Sequence, residues 1–383
     1  MRSPVFAISF LLTTLSTNAQ RTDTLRFHST AFNGHREVVV HLPEFHRYAS
    51  NEVRMPVFVV LDGQHEWFLD PVLNDIRFLQ YTHEVPQAIV VTVPHADRVQ
   101  ESAPDSIDQP TMPLLELLTK ELPPLLKPYK PGDLTVLVGH SFTASFALYA
   151  SLAAPGAFDA VIALSPLHQV KQSLPLVIER LISHPNERVL VAVGGPQRLK
   201  DGGHHAELTA AVRAADASRT EGRFVFKEYP SAGHTSLPII AFPELLSTLL
   251  MPYALRDTLA AVDSNYKLTA PPPPPEELLW ELEQSWRFLG DTLPWDLAEA
   301  NGLISRLENS GYTDHVIVLL RRAIELYPND YYLHAWLGEA LLERDPAQAR
   351  ASLLKALDVQ AAFARDEADY EEMKAEIEGM LKP

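Results

Sequence analysis

Cysteine is absent from all 383 residues. That excludes disulfides, thiolate metal sites, iron–sulfur clusters, a cysteine nucleophile and a lipid-modified N-terminal cysteine. Positive charge is scarce: 32 Lys+Arg stand against 49 Asp+Glu, a formal charge of −17. Nucleic acid and anionic membrane surfaces repel such a chain, so neither is an expected partner. Long apolar runs are missing too. The most concentrated one, Val5–Leu15, falls short of the roughly 20 residues a transmembrane helix needs, and no later segment is apolar enough to act as a membrane anchor. Apolar residues overall make up 46% of the chain, which suits a packed core and not disorder. At roughly 100–200 residues per domain the length suggests two domains, or three.

The first 19 residues, MRSPVFAISFLLTTLSTNA, have a cationic start, an apolar middle and a small-residue exit. This order is that of a secretory signal peptide, with cleavage before Gln20. The mature protein is therefore expected to be exported, periplasmic or secreted, and a chain without thiols tolerates an oxidising compartment.

Over residues 20–260 short apolar runs alternate with helix-like segments. Val57–Leu61, Ala88–Val93, Leu134–Val138, Ala160–Leu164, Val189–Val193 and Phe224–Tyr229 read as strands, most of them covered on both faces. Leu114–Leu126 and Ser145–Ala153 carry apolar residues at helical spacing. The alternation predicts an α/β fold, doubly wound around a mostly parallel sheet. Five consecutive prolines, Pro271–Pro275, suggest a stiff polyproline II linker over 261–275. Residues 276–383 contain no strand-like run. Two segments there align at an offset of 34 residues, pairing Ile304 with Gly338 and Leu307 with Leu341. Period and residue types resemble the tetratricopeptide repeat, a helix-turn-helix unit. Two units are fewer than the roughly three that independent stability takes, so this helical domain is expected to pack on flanking structure, bind a protein partner or self-associate.

Leu134–Ala150, LTVLVGHSFTASFALYA, is the segment richest in chemistry. A strand runs through Gly139-His140-Ser141-Phe142-Thr143 into a helix. A serine on such a turn stands above the sheet edge, and the helix N-terminus faces any anion formed there. A bland alternative is a serine that merely caps the helix. After the last strand comes Tyr229-Pro230-Ser231-Ala232-Gly233-His234. Position makes His234 the candidate base, since the order in this fold is nucleophile, acid, His. The first long strand ends Leu61-Asp62-Gly63-Gln64, whose backbone is placed to supply an oxyanion donor beside the N–H of Phe142. The acid is less marked. After Val189–Val193 come Gly194-Gly195-Pro196-Gln197-Arg198-Leu199-Lys200-Asp201, making Asp201 the nearest carboxylate and Glu207 the next.

With these motifs the chain from about residue 25 to 250 resembles the putative esterase family of α/β-hydrolases, which includes enterobactin-type siderophore esterases, esterase D and carbohydrate feruloyl and acetyl esterases. The segments that carry the resemblance are LDGQHEWFLDPVLNDIRFL, RVQESAPDS, GHSFTASFALYASLAAPGAFDAVIALSP and EYPSAGHTSLP. The resemblance implies a serine esterase with Ser141 as nucleophile, His234 as base, and Gly63 or Gln64 with Phe142 as oxyanion donors. Its substrate would be a small-molecule ester of siderophore type or an acylated carbohydrate. Two departures stand out. Thr143 replaces the usual glycine and is expected to narrow the site, and Asp201 does not directly follow a glycine. Both also suit a rival reading, a catalytically degenerate scaffold that binds partners. No cofactor or metal is expected: no G-x-G-x-x-G follows a strand, no phosphate-binding lysine motif occurs, and His204-His205 with His168 lack ligand spacing.

Overall fold

The computed structural model describes residues 21–104, 111–167, 173–195, 202–214, 217–253, 255–289, 295–365 and 367–382. The segment 1–19, expected to be a signal peptide, and Asp201 lie outside the described residues. Beyond residue 20 the chain divides into two compact units, Arg21–Asn329 and Asp330–Pro383.

The larger unit is built on one eight-stranded sheet in the order β1-β2-β4-β3-β5-β6-β7-β8. The strands are β1 Thr22–Ser29, β2 Gly34–His41, β3 Met55–Leu61, β4 Ile89–Val93, β5 Pro131–His140, β6 Ala160–Leu164, β7 Arg188–Gly194 and β8 Phe224–Tyr229. From β4 to β8 neighbouring strands run parallel, while β1 and β2 join antiparallel. Every residue of β3, β4 and β6 is buried, because helices cover both faces of a parallel sheet and leave no side for polar residues. The hairpin β1–β2 escaped the reading from apolar runs. Its strand TDTLRFHS alternates exposed and partly buried positions along an edge, so every second residue is polar.

The helices of this unit are α1 Glu66–Tyr81, α2 Arg98–Ser102, α3 Pro113–Glu116, α4 Leu122–Leu126, α5 Phe142–Ala153, α6 Ser173–Ser183, α7 Gly202–Ala214, α8 Leu237–Leu250, α9 Arg256–Leu259, α10 Pro275–Ser285, α11 Leu297–Asn309 and α12 Thr313–Leu326. The single helix expected at Leu114–Leu126 is broken. A π turn, Leu117–Glu121, separates α3 from α4. Pro123 and Pro124 have no N–H to give and crowd the preceding carbonyls, and a wider turn relieves both defects.

The compact units part at 329/330, not at the proline run. Residues 261–275 are held within the larger unit: Leu268 N–H donates to Ser310 Oγ at 2.9 Å, and His315 Nε2 lies 2.7 Å from the Pro273 carbonyl oxygen. The following helices join the same unit through an aromatic core. Trp286 is stacked on Tyr253 and meets Trp295 edge-on, all fully buried. Asp296 caps α11 and also accepts the Gln87 N–H at 2.6 Å. The smaller unit contains α13 Tyr331–Leu341, α14 Pro346–Phe363 and α15 Tyr370–Met380. Its core gathers Tyr331, Leu353, Ala356, Val359 and Ile377. A Cβ on Gly338 would sit 2.6 Å from Leu353 Cγ, so α13 and α14 cross at glycine distance. The division falls between the two segments that align at 34 residues.

Candidate active site

Three neighbouring parallel strands end in residues with positive φ: Asp62 (64°) after β3, Ser141 (62°) after β5 and Ser165 (49°) after β6. A non-glycine residue held this way costs roughly 1–3 kcal/mol and persists only where its surroundings fix it. Ser141 is fixed by its N–H donating to the Leu164 carbonyl at 2.9 Å and by its own carbonyl accepting the Ser145 N–H at 3.0 Å. Gly139 permits the turn. A Cβ there would fall 2.4 Å from the Thr143 carbonyl oxygen, so no other residue fits where strand and helix meet.

His234 comes from the loop between β8 and α8. Its Nε2 lies 2.9 Å from Ser141 Oγ, across 93 positions of sequence. His140 holds that loop. Its Nε2 stands 2.9 Å from the His234 carbonyl, and since a carbonyl can only accept, Nε2 carries the proton. The ring stacks on Phe68, meets Trp67 edge-on and lies 4.8 Å from the His234 ring. Burial pushes the His140 imidazole down to about 3, and the neighbouring His234 adds to the shift. His140 is thus neutral at any working pH.

Phe142 opens α5, and among the described residues no acceptor takes its N–H. The two alternatives at the β3 loop separate. Gly63 was one candidate donor, but its N–H is engaged with the Val93 carbonyl at 3.1 Å. Its smallness serves another end: a Cβ would lie 3.0 Å from Pro94 N, against the β4 backbone. The Gln64 N–H has no acceptor among the described residues, and its side-chain Oε1 accepts the His95 N–H at 2.9 Å. Glu207 is exposed on α7, and the other candidate acid, Asp201, lies outside the described residues.

Thr143 does not narrow the site. It is fully buried, and its hydroxyl points at Asp62, 2.7 Å from Oδ2. Asp62 in turn receives Arg98 bidentately, Nε at 2.6 Å and Nη2 at 2.9 Å. Arg98 Nη2 also donates to the His140 carbonyl at 2.7 Å. Glu101, one turn on in α2, accepts from Arg36 Nη2 at 2.7 Å and lies 3.1 Å from His95 Nδ1. Burial alone would raise its carboxyl, yet these hydrogen bonds hold it at about 2. Asp62, Arg98, His140 and Glu101 were not read as site residues. All four lie inside segments that carry the resemblance, but pairing an aspartate with an arginine 36 residues away takes the fold.

A strained serine between a parallel strand and a helix, met by an imidazole from beyond the last strand, defines an α/β-hydrolase. Residues 29–229 match the putative esterase family. The chain belongs to that family and is a carboxylic ester hydrolase. Among solved structures it is similar to an IroE-like serine hydrolase from Shewanella oneidensis, at 20% identity and a TM-score of 0.62, covering 78% of this chain and 98% of that one. It is also similar to an uncharacterised protein from Capnocytophaga ochracea, at 15% identity and a TM-score of 0.56, covering 94% of this chain and 100% of that one. No curated protein matches.

Proposed function

We propose that the protein is an exported serine esterase working through an acyl-enzyme. The observation that carries this reading is the 2.9 Å approach of His234 Nε2 to Ser141 Oγ. His234 takes the hydroxyl proton as Oγ attacks the ester carbonyl. The Phe142 and Gln64 N–H groups hold the tetrahedral oxyanion. The alkoxide leaves with the proton from His234, and water activated by the same imidazole then hydrolyses the acyl-serine. Asp201 keeps the role of orienting acid in this reading. The substrate is a siderophore-type ester or an acyl group on a carbohydrate. The chain's charge of −17 favours the carbohydrate, since a ferric catecholate complex carries several negative charges. The helical residues 276–383 form tetratricopeptide-like hairpins available to a protein partner or a second copy.

Turnover of p-nitrophenyl acetate by the full chain tests the mechanism. Ser141→Ala should lose at least about four orders of magnitude in kcat, as expected when serine and histidine act together. Equal rates would remove the serine from the chemistry. Acetylated or feruloylated xylan set against ferric catecholate siderophores separates the two substrate classes. Recovery of a mature chain beginning at Gln20 tests export.

A further inference from the structure

We infer that Asp62, Arg98 and Thr143 form a buried clasp that sets the spacing of the oxyanion hole, with Thr143 acting as a positioning residue in place of a glycine. The inference rests on the esterase reading and deepens it.

The two proposed oxyanion donors come from different loops. Gln64 follows β3 and Phe142 follows β5, and nothing in the primary sequence holds their N–H groups at a common distance from Ser141. Asp62 stands two residues before Gln64, and Thr143 one residue after Phe142. The Asp62 carboxylate joins them: Oδ2 accepts from Thr143 Oγ1 at 2.7 Å, while Arg98 closes over both carboxylate oxygens at 2.6 and 2.9 Å. The same guanidinium reaches the His140 carbonyl at 2.7 Å, and the His140 N–H donates to Thr143 Oγ1 at 2.9 Å. Both oxygens of the Asp62 carboxylate are thereby engaged, and the Thr143 hydroxyl, also 2.9 Å from the His140 carbonyl oxygen, lies at the centre of the contact. Asp62 is 1% exposed and Thr143 0%, so water does not compete with these bonds, and the pairing is strong and directional. Arg98 is itself steadied, because Glu101 of the same helix ties α2 to Arg36 on β2.

A glycine at position 143 would leave Asp62 without its third donor. The threonine hydroxyl binds the elbow to the β3 loop at the point where the two donors must be held in register. Misplacement of a donor by about 1 Å can cost on the order of 100-fold in rate, so the spacing is worth fixing.

The test compares Thr143→Val, which keeps the shape and loses the hydroxyl, with Thr143→Ser, which keeps the hydroxyl. Both are measured in the full chain on p-nitrophenyl acetate, together with inhibition by an aryl trifluoromethyl ketone, whose serine adduct carries an oxyanion. Thr143→Val should lose roughly 10- to 100-fold in kcat with KM changed less than about twofold. Ketone affinity should fall by a similar factor, and the pH profile should keep its midpoint because His234 is untouched. Thr143→Ser should restore kcat to within about threefold of wild type, since the bond to Asp62 returns. A folded Thr143→Val with wild-type kcat, or a loss not rescued by serine, overturns the clasp. Should Thr143→Val fail to fold, Arg98→Lys replaces it: the clasp requires the same loss in kcat, and wild-type kcat there refutes it. A wild-type chain that neither turns over esters nor reacts with a fluorophosphonate overturns the esterase reading itself, a result distinct from an active wild type with an indifferent variant.

Discussion

At the residue scale, burial assigns different work to groups of one chemical type. His234 and His140 are close in space, yet His140 is held neutral by burial and acts by donating one hydrogen bond to the backbone of the other. Among the carboxylates, Asp62 and Glu101 are enclosed by donors, whereas Asp75 on α1 has a buried Oδ2 with no partner among the described residues. Burial raises the Asp75 carboxyl from its ordinary 3.8 to about 6. The folded value exceeds the unfolded one, so its contribution to stability is complete below about pH 4 and is lost as pH rises through 6. Asp75→Asn should therefore raise stability by about 1–2 kcal/mol at pH 8, discounted for partial exposure, and leave it unchanged at pH 4. Melting temperatures at the two pH values check this, and an equal shift at both would show that titration is not the cause.

At the scale of elements, the strand ends and the turns after them bring the candidate site together. Gly139 lets β5 and α5 close on each other, and Gly195 does the same between β7 and the Pro230 backbone, where a Cβ would come within 2.0 Å of a carbonyl oxygen. Backbone cannot yield as a flexible side chain can. Gly139→Ala is accordingly expected to cost at least about 3 kcal/mol, with activity falling as the elbow shifts. Urea unfolding followed by circular dichroism measures it, and a cost under 1 kcal/mol would mean that the elbow opens easily. The broken helix α3–α4 teaches the complementary lesson. Apolar spacing announces a helix, but Pro123 and Pro124 determine its hydrogen-bond register.

At the scale of the whole molecule, the boundary of the catalytic unit is set by packing and not by composition. Trp286 and Trp295, downstream of the proline run, are buried with Tyr253. Fully burying an aromatic side chain contributes about 1.5–3 kcal/mol relative to leaving it exposed. A chain ending at residue 260 exposes Tyr253 and loses both tryptophans, and it is expected to aggregate. A chain ending at Asn329 keeps that core and should remain soluble with wild-type kcat. Gel filtration and ester turnover of the two truncations decide between these boundaries, and a soluble, active 20–260 fragment would restore the proline run as the border.

Much of this protein is written in its sequence. The buried parallel strands announce themselves because burial on both faces demands unbroken apolar runs. Gly139-His140-Ser141 and Gly233-His234 can be read as candidates because an elbow and the loop that meets it require small residues beside the proposed nucleophile and base. The edge hairpin β1–β2 is concealed by alternation, which looks like polar loop. The engagement of the Gly63 N–H with Val93, the direction in which Thr143 faces and the partnership of Asp62 with Arg98 appear only in three dimensions. Each depends on which hydrogen-bond partner lies within about 3 Å once the strands stand side by side, and the order of residues along a chain does not encode that distance locally.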